Sequence, residues 1–456
     1  MICDLVGDFL VCGTPRLLWV FLLSDLSSPR LLRFSHNCPP QPKPWHRRVV
    51  PHWGISYTAG RNTQAPRLPK PSDPSFRLST MAVPFIDLRR FEPDFLERWQ
   101  DLCRQNTEAT RFVGGPEVTG LEEDLARDTG ASFAVGCANG TDALQLALRG
   151  LGVGPGDRVL VPDATFWATF EAVVNCGAQP VTVDIDEDDL QMDFEGFRQA
   201  IEVHEPKAAI LVHLYGWGSA RLDEFRALAR SAGVLLLEDA AQAYGVHWRG
   251  RSIFEGAQVA TLSFYPAKVL GACGDAGAAL TSDEDLATRM RQLGNHGRTG
   301  HYDHGLVGWN SRLGGFEASY LRLSLEYLPQ RLDSRRHAAE RLRSGLAELG
   351  FRTVAPPDGY LENGYLNVTL MDPGERPGLQ EHLRQHGIGF GTVYPGAMSR
   401  QPAAGAHLAG KVGGEKAARL CESVLNLPLF AHITDAEVDE VLDVLSQWPA
   451  DRRGGP

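Results

Sequence analysis

Residues 234–245 read VLLLEDAAQAYG, and the way this stretch runs and ends decides the fold. Val234–Glu238 opens with four apolar residues and no polar alternation, the pattern of a short strand buried on both faces. Strands of that kind belong to a mostly parallel sheet covered by helices. The strand stops on two adjacent carboxylates, Glu238 and Asp239, with Gln242 shortly after. A carboxylate there is either the N-cap of a following helix or a buried anion kept for a cationic partner.

The same texture recurs on either side. Arg158–Pro162 (RVLVP), Pro180–Asp186 (PVTVDID), Ala208–Leu214 (AAILVHL) and Val259–Ser263 (VATLS) read as strands. Helical periods such as Leu222–Ala232 separate them. Upstream, GLEEDLA from Gly120 is helical in period, Phe133–Cys137 is strand-like, and a helix is expected from about Thr141 after a strand. Strands alternating with helices predict an α/β fold, in which ligands bind beyond the carboxyl ends of the strands.

After about Leu328 the pattern changes. Arg331–Leu349 reads as a charged helix, Gly364–Met371 as a strand, Gly378–His386 as a short helix, and Thr434 with Glu437 as a capping box. The expected organisation is a large α/β domain over 81–327 and a smaller C-terminal α+β domain over 328–450. Residues 1–80 look foreign to both. They are rich in Pro, Arg, Ser and Trp and show no sustained period, so we expect a disordered or spurious extension, with Met81 opening the native chain. The apolar run at 9–23 is broken by Pro15 and Arg16 and is too short to span a membrane.

Of 456 residues, 43% are apolar and 22% charged, ordinary values for a globular protein with two or three cores. The net charge is −11, but the first 80 residues hold ten Lys/Arg against four Asp/Glu, which leaves −17 on the remainder. So acidic a body excludes long-range attraction to nucleic acid. Eight cysteines are dispersed without a C-x-x-C pair or a matching histidine, which argues against a metal site and for free thiols in a reducing cytoplasm.

The polar residues at strand ends carry the chemistry. Asn139-Gly140-Thr141 stands where a helix N-terminus offers free N–H groups to a phosphate, and equally where an asparagine simply caps. Ser263 ends another strand and begins SFYPAKVLGACGDAG (263–277), in which a lone lysine, Lys268, sits among small and apolar residues. Phe166 and Trp167 follow a third strand. An anion for a ring nitrogen, a phosphate cradle, an aromatic cover and a lone lysine together meet the needs of pyridoxal 5′-phosphate. A P-loop is excluded because G-x-x-x-x-G-K-[ST] is absent.

At these residues the sequence resembles the DegT/DnrJ/StrS sugar aminotransferases, a branch of the fold-type-I pyridoxal-phosphate enzymes. The likeness runs from about Val83 to Val441 through GPEVTGLE, CANGTDALQLAL, GVGPGD, EDAAQAYG, SFYPAK with GACGDAGA, HGR, GWNSRL and LNLPLF. It implies an aspartate-aminotransferase-like large domain and transfer of an amino group from an amino acid, L-glutamate by family habit, to a keto nucleotide sugar. It further implies that Lys268 holds the cofactor aldehyde and shuttles the proton, that Asp239 faces the pyridinium, and that Gln242 faces the ring hydroxyl. Gly140, Thr141 and Ser263 would hold the phosphate, and Phe166, rather than Trp167, would stack on the ring. Asn310, beside Arg312, would reach the phosphate in the neighbouring subunit of a homodimer. Cys273 reads as a small packing residue, and the Gly/Ala run around it as room for cofactor and substrate. One departure is Val393-Tyr394-Pro395, where many members have His-Tyr-Pro, which leaves the sugar open. The rival expectations are a dehydratase, which would carry histidine in place of Lys268, and a cofactor-binding regulator that does not transaminate.

Overall fold

The computed structural model describes residues 82–454, which lie within one compact unit, Pro74–Pro456. The expectations for residues 1–80 and for Met81 fall outside the described residues. Eight strands form the main sheet in the order Phe133–Cys137, Gly277–Thr281, Val259–Ser263, Leu235–Asp239, Ala208–Val212, Arg158–Pro162, Gln179–Val183 and Gly410–Val412. Pairing is parallel from Val259–Ser263 to Gly410–Val412. Gly277–Thr281 alone runs against its neighbours. The mostly parallel α/β sheet read from the apolar runs is the sheet observed.

Its two faces are sorted by the two-residue period of a strand. Val159, Val161 and Ile210 point into one hydrophobic cluster with Leu144, Leu146 and Phe170. Leu160, Leu211 and Leu236 point into the other, with Phe197, Phe225 and Leu222. The helix Leu222–Ala232 buries Leu222, Phe225, Arg226 and Ala229, a stripe spaced three and four residues apart. Phe225 packs edge-on to Phe194 at 5.0 Å and tilted to Phe197 at 5.0 Å, and removing its ring would cost about 3–5 kcal/mol.

The charged helix expected from Arg331 is the second half of one 34-residue helix, Gly315–Glu348. Pro329 within it removes one hydrogen-bond donor without ending the helix, because burial continues on both sides of it. Leu321, Leu328 and Leu332 belong to the second cluster, whereas Ala338, Leu342 and Leu346 belong to a third, built with Leu425, Phe430, Val441 and Trp448. The proposed 327/328 division thus falls inside a continuous helix. Of the expected strand Gly364–Met371 only Thr369–Leu370 pairs, between Arg352–Thr353 and Val424–Leu425. The preceding residues are held by side chains instead: Asn363 accepts from the Tyr365 N–H at 3.0 Å and donates to the carbonyls of Gln242 and Tyr244, both at 2.9 Å. The capping box of Thr434 and Glu437 is formed. No helix among the described residues is long and apolar enough to cross a membrane.

Candidate active site

The strand alternation that sorts the core also separates the two carboxylates of VLLLEDAAQAYG. Glu238 turns to the helix side, where Arg226 grips it with two bonds of 2.8 Å and His213 Nε2 lies at 2.8 Å. Burial opposes its ionisation, but the Arg226 charge and these hydrogen bonds outweigh burial and hold its pKa at about 2. Asp239 turns the other way, accepting from the Thr169 hydroxyl at 2.9 Å and the Ala241 N–H at 3.1 Å. It has no guanidinium partner among the described residues. Burial pushes its pKa up, only partly offset by those two donors and by the Lys268 charge. The N-cap reading of this pair is not realised, since no helix starts there.

Lys268 follows the Val259–Ser263 strand, and its Nζ donates to Tyr365 Oη at 3.3 Å, lying 5.1 Å from the centre of that ring. Ser263 stands at the end of the same strand against the start of the helix Gly140–Gly150. The approach is so close that a Cβ on Gly140 would lie 2.6 Å from Ser263 Cβ and 3.0 Å from its Oγ. Asn139 caps that helix by accepting from the Asp142 N–H at 2.8 Å. The N–H groups of Gly140 and Thr141 find no partner among the described residues, so the helix presents two free donors and its positive end beside a serine hydroxyl.

Phe166 stands just before the helix Trp167–Asn175 with 53% of its surface exposed, 5.4 Å from the ring of Tyr394. Trp167 stacks on Phe170 at 4.8 Å, as a packing residue does. Gln242 is buried, accepting from the Tyr215 N–H at 2.7 Å and donating to Tyr394 Oη at 3.0 Å. Asn310 is exposed on a segment paired with Asn295, and no hydrogen bond joins it to the other candidates among the described residues.

One expectation within 263–277 is corrected. Cys273 is exposed rather than packed, because no helix or strand spans 264–276. The glycines around it leave room first for the chain itself: a Cβ on Gly271 would lie 2.3 Å from the Pro266 carbonyl, and one on Gly277 2.4 Å from that of Asn139.

Residues 94–446 match the DegT/DnrJ/EryC1/StrS aminotransferase family. The chain belongs to that family. It is 37% identical over 82% of its length to 98% of a dTDP-3-amino-3,4,6-trideoxy-alpha-D-glucose transaminase of Streptomyces venezuelae. It is 35% identical over 80% of its length to 99% of a UDP-2-acetamido-2-deoxy-3-oxo-D-glucuronate aminotransferase of Pseudomonas aeruginosa. Among solved structures, S. venezuelae DesV in complex with a ketimine intermediate superposes with a TM-score of 0.76 at 37% identity, covering 81% of this chain and 99% of that one.

The structure also brings against the predicted site residues several that reading the strand ends missed. Thr169, Tyr215, Asn363 and Tyr365 all touch the predicted site residues, yet they lie in a helix, in a turn or in the segment 363–367. Nothing in their local sequence marks them. Tyr394 stands out in the sequence only as part of Val393-Tyr394-Pro395, and it lies between Phe166 and Gln242.

Proposed function

We propose that this chain is a pyridoxal 5′-phosphate-dependent aminotransferase that moves an amino group from an amino acid, L-glutamate by family resemblance, to a keto group on a nucleotide-linked sugar. The observation that carries this reading is the convergence of Lys268, of Asp239 without a guanidinium partner among the described residues, and of the free N-terminus of the helix Gly140–Gly150 at the carboxyl ends of the strands Val259–Ser263, Leu235–Asp239 and Phe133–Cys137. The residues present fit the cofactor. A phosphate matches the N–H groups of Gly140 and Thr141 and the Ser263 hydroxyl, and a pyridinium matches a buried carboxylate that has no guanidinium partner among the described residues. When bound, the cofactor supplies an electron sink for charge developing at the carbon that exchanges its amino group.

The chain's own residues do the rest. Lys268 Nζ holds and moves the proton, and Tyr365 Oη, at 3.3 Å, fixes where that amine points. Asp239 keeps the ring nitrogen protonated, and Thr169 and the Ala241 N–H fix its two oxygens. Phe166 covers one face, and Gln242, oriented by the Tyr215 N–H and Tyr394 Oη, faces the ring hydroxyl. Asn310 acts in the site of a second copy, which makes the working unit a homodimer. The five cysteines of the described residues are free thiols, in keeping with a cytoplasmic enzyme. The pathway expected is amino-sugar, polysaccharide or antibiotic biosynthesis.

The test is spectroscopic. Protein reconstituted with pyridoxal phosphate should absorb in the visible range, lose that band to borohydride with a mass tag on Lys268, and show neither in Lys268→Ala. A wild-type protein that stays colourless after reconstitution would sink the reading. Glutamate with a panel of keto dTDP-, UDP- and GDP-sugars then identifies the acceptor.

A further inference from the structure

Away from the strand ends, a cavity of about 330 Å³ is bordered by the turn after the strand Gln179–Val183, the helix Glu415–Ser423 and the small three-stranded sheet. It shares no lining residue with the candidate active site. The helix faces it with Lys416, Arg419, Leu420 and Ser423, the i, i+3, i+4, i+7 spacing of one helical face. Arg352 enters from the edge strand Arg352–Thr353. Arg419 is matched by Glu187 at 2.8 Å, the one carboxylate that borders the cavity. The side chains of Arg352 and Lys416 pair with no carboxylate among the described residues. Three cations against one carboxylate leave two positive charges over, on a body whose net charge is −17.

Ser423 supplies the second observation. A serine in the last turn of a helix ordinarily returns its hydroxyl to a carbonyl three or four residues back, as Ser231 and Ser446 do at 2.9 and 2.7 Å. Ser423 is 1% exposed, and its Oγ has no hydrogen-bond partner among the described residues. A buried hydroxyl without a partner is costly, and this one borders the cavity. Two unmatched cations suit a dianion: the guanidinium fork meets phosphate oxygens in pairs, and the ammonium adds a point charge. The floor is apolar, formed by Leu190, Leu370 and Leu420. At about 30 Å³ per water the cavity has the capacity of roughly eleven waters, enough for a phosphate and a ring but not for a nucleotide sugar.

We propose that this cavity is a second ligand site, which binds a phosphate monoester carrying a compact ring. Arg352 and Lys416 hold the phosphate, the Ser423 hydroxyl donates to it, and the ring lies on the leucine floor. The inference goes beyond the function proposed above and does not rest on it, since no residue of the cavity takes part there.

The experiment is calorimetric. Protein reconstituted with pyridoxal phosphate, freed of excess, reduced with borohydride and dialysed keeps the cradle at Gly140 filled; a protein that takes up no cofactor is titrated as purified, so the failure of that reading leaves this one testable. The probes are thymidine 5′-monophosphate, inorganic phosphate and thymidine. Wild type should bind the monophosphate, inorganic phosphate more weakly and thymidine not measurably. Arg352→Gln with Lys416→Gln should weaken the monophosphate tenfold or more, and Ser423→Ala roughly tenfold, the effect of losing hydrogen bonds to a charged group. Because the Ser423 hydroxyl has no partner to lose, Ser423→Ala should melt no lower than wild type without ligand. Arg104→Gln with Arg198→Gln, which removes two cations paired on the exposed surface, is the control and should bind like wild type. Monophosphate affinity within twofold of wild type in either folded cavity variant overturns the site, because the ligand then binds elsewhere. So does equal weakening in the control, which would make the effect one of overall charge, and so does a wild type that binds neither phosphate.

Discussion

Gly140→Ala tests whether the helix–strand contact is what shapes the anion cradle. The added methyl would lie 2.6 Å from Ser263 Cβ, 3.0 Å from its Oγ and 3.2 Å from its Cα. Ordinary carbon contacts lie near 4 Å, so the overlap with Ser263 Cβ exceeds an ångström and the strand Cα is crowded as well, and neither atom can rotate aside as a side-chain tip can. Separating the helix from the Val259–Ser263 strand should cost about 1–3 kcal/mol, the usual range for overpacking. At about 2.1 cal/mol/K of unfolding entropy per residue, that lowers Tm by roughly 1–4 °C. Moving Ser263 and the free N–H groups apart should also remove one charge-assisted hydrogen bond to a bound phosphate, a loss of roughly tenfold or more in affinity. Reconstitution monitored by visible absorbance gives the cofactor affinity, and a melt of the cofactor-free protein gives the stability. Gly154→Ala is the control, because a Cβ there meets nothing within 4 Å. If Gly140→Ala takes up cofactor and melts like Gly154→Ala, the close contact is not what forms the cradle.

Tyr365→Phe removes the acceptor of the Lys268 amine at 3.3 Å; a hydrogen bond of that length to a charged group is worth about 1.5 kcal/mol, so the donor half-reaction should slow roughly tenfold by stopped-flow absorbance while cofactor uptake is unchanged. Glu238→Gln breaks the buried pair with Arg226 and should destabilise the fold by about 3–5 kcal/mol in neutral chemical denaturation. Because the Glu238 pKa is depressed to about 2, its contribution is present above the ordinary glutamate value and is lost as pH falls toward 2; the variant should lose that part of the acid dependence. Asn310→Ala and Lys268→Ala should each be inactive alone, yet equal mixtures refolded together should recover about a quarter of wild-type activity, because half the dimers then carry one intact site. No recovery would mean that Asn310 does not act across the dimer.

The sheet was legible because its strands are continuous apolar runs, and a run such as Ala208–Val212, buried at every residue, has no other stable setting. Lys268, Asp239, Gly140 and Ser263 were legible for a related reason: a polar residue at the end of such a run lands where ligands bind. What stayed hidden arrives from afar. Tyr365 is 97 residues from Lys268, Thr169 is 70 from Asp239, and Tyr394 is 152 from Gln242. No local pattern encodes those meetings, which depend on how the segment after the long helix Gly315–Glu348 packs back over the strand ends. The length of that helix was hidden by Pro329, whose local penalty is outweighed by burial that the sequence shows only as scattered leucines.

Glu238 and Asp239 display the physical logic most directly. They are adjacent, chemically alike and both buried, yet their acidities are driven in opposite directions. The strand's two-residue period assigns one to the covering helix, where Arg226 and His213 satisfy it, and the other to the open end of the sheet, where its hydrogen bonds come from the Thr169 hydroxyl and the Ala241 N–H. A carboxylate already compensated has little to give a cation. One held in burial without a guanidinium gains most from a positively charged ring nitrogen, because that ion removes the cost of its own desolvation.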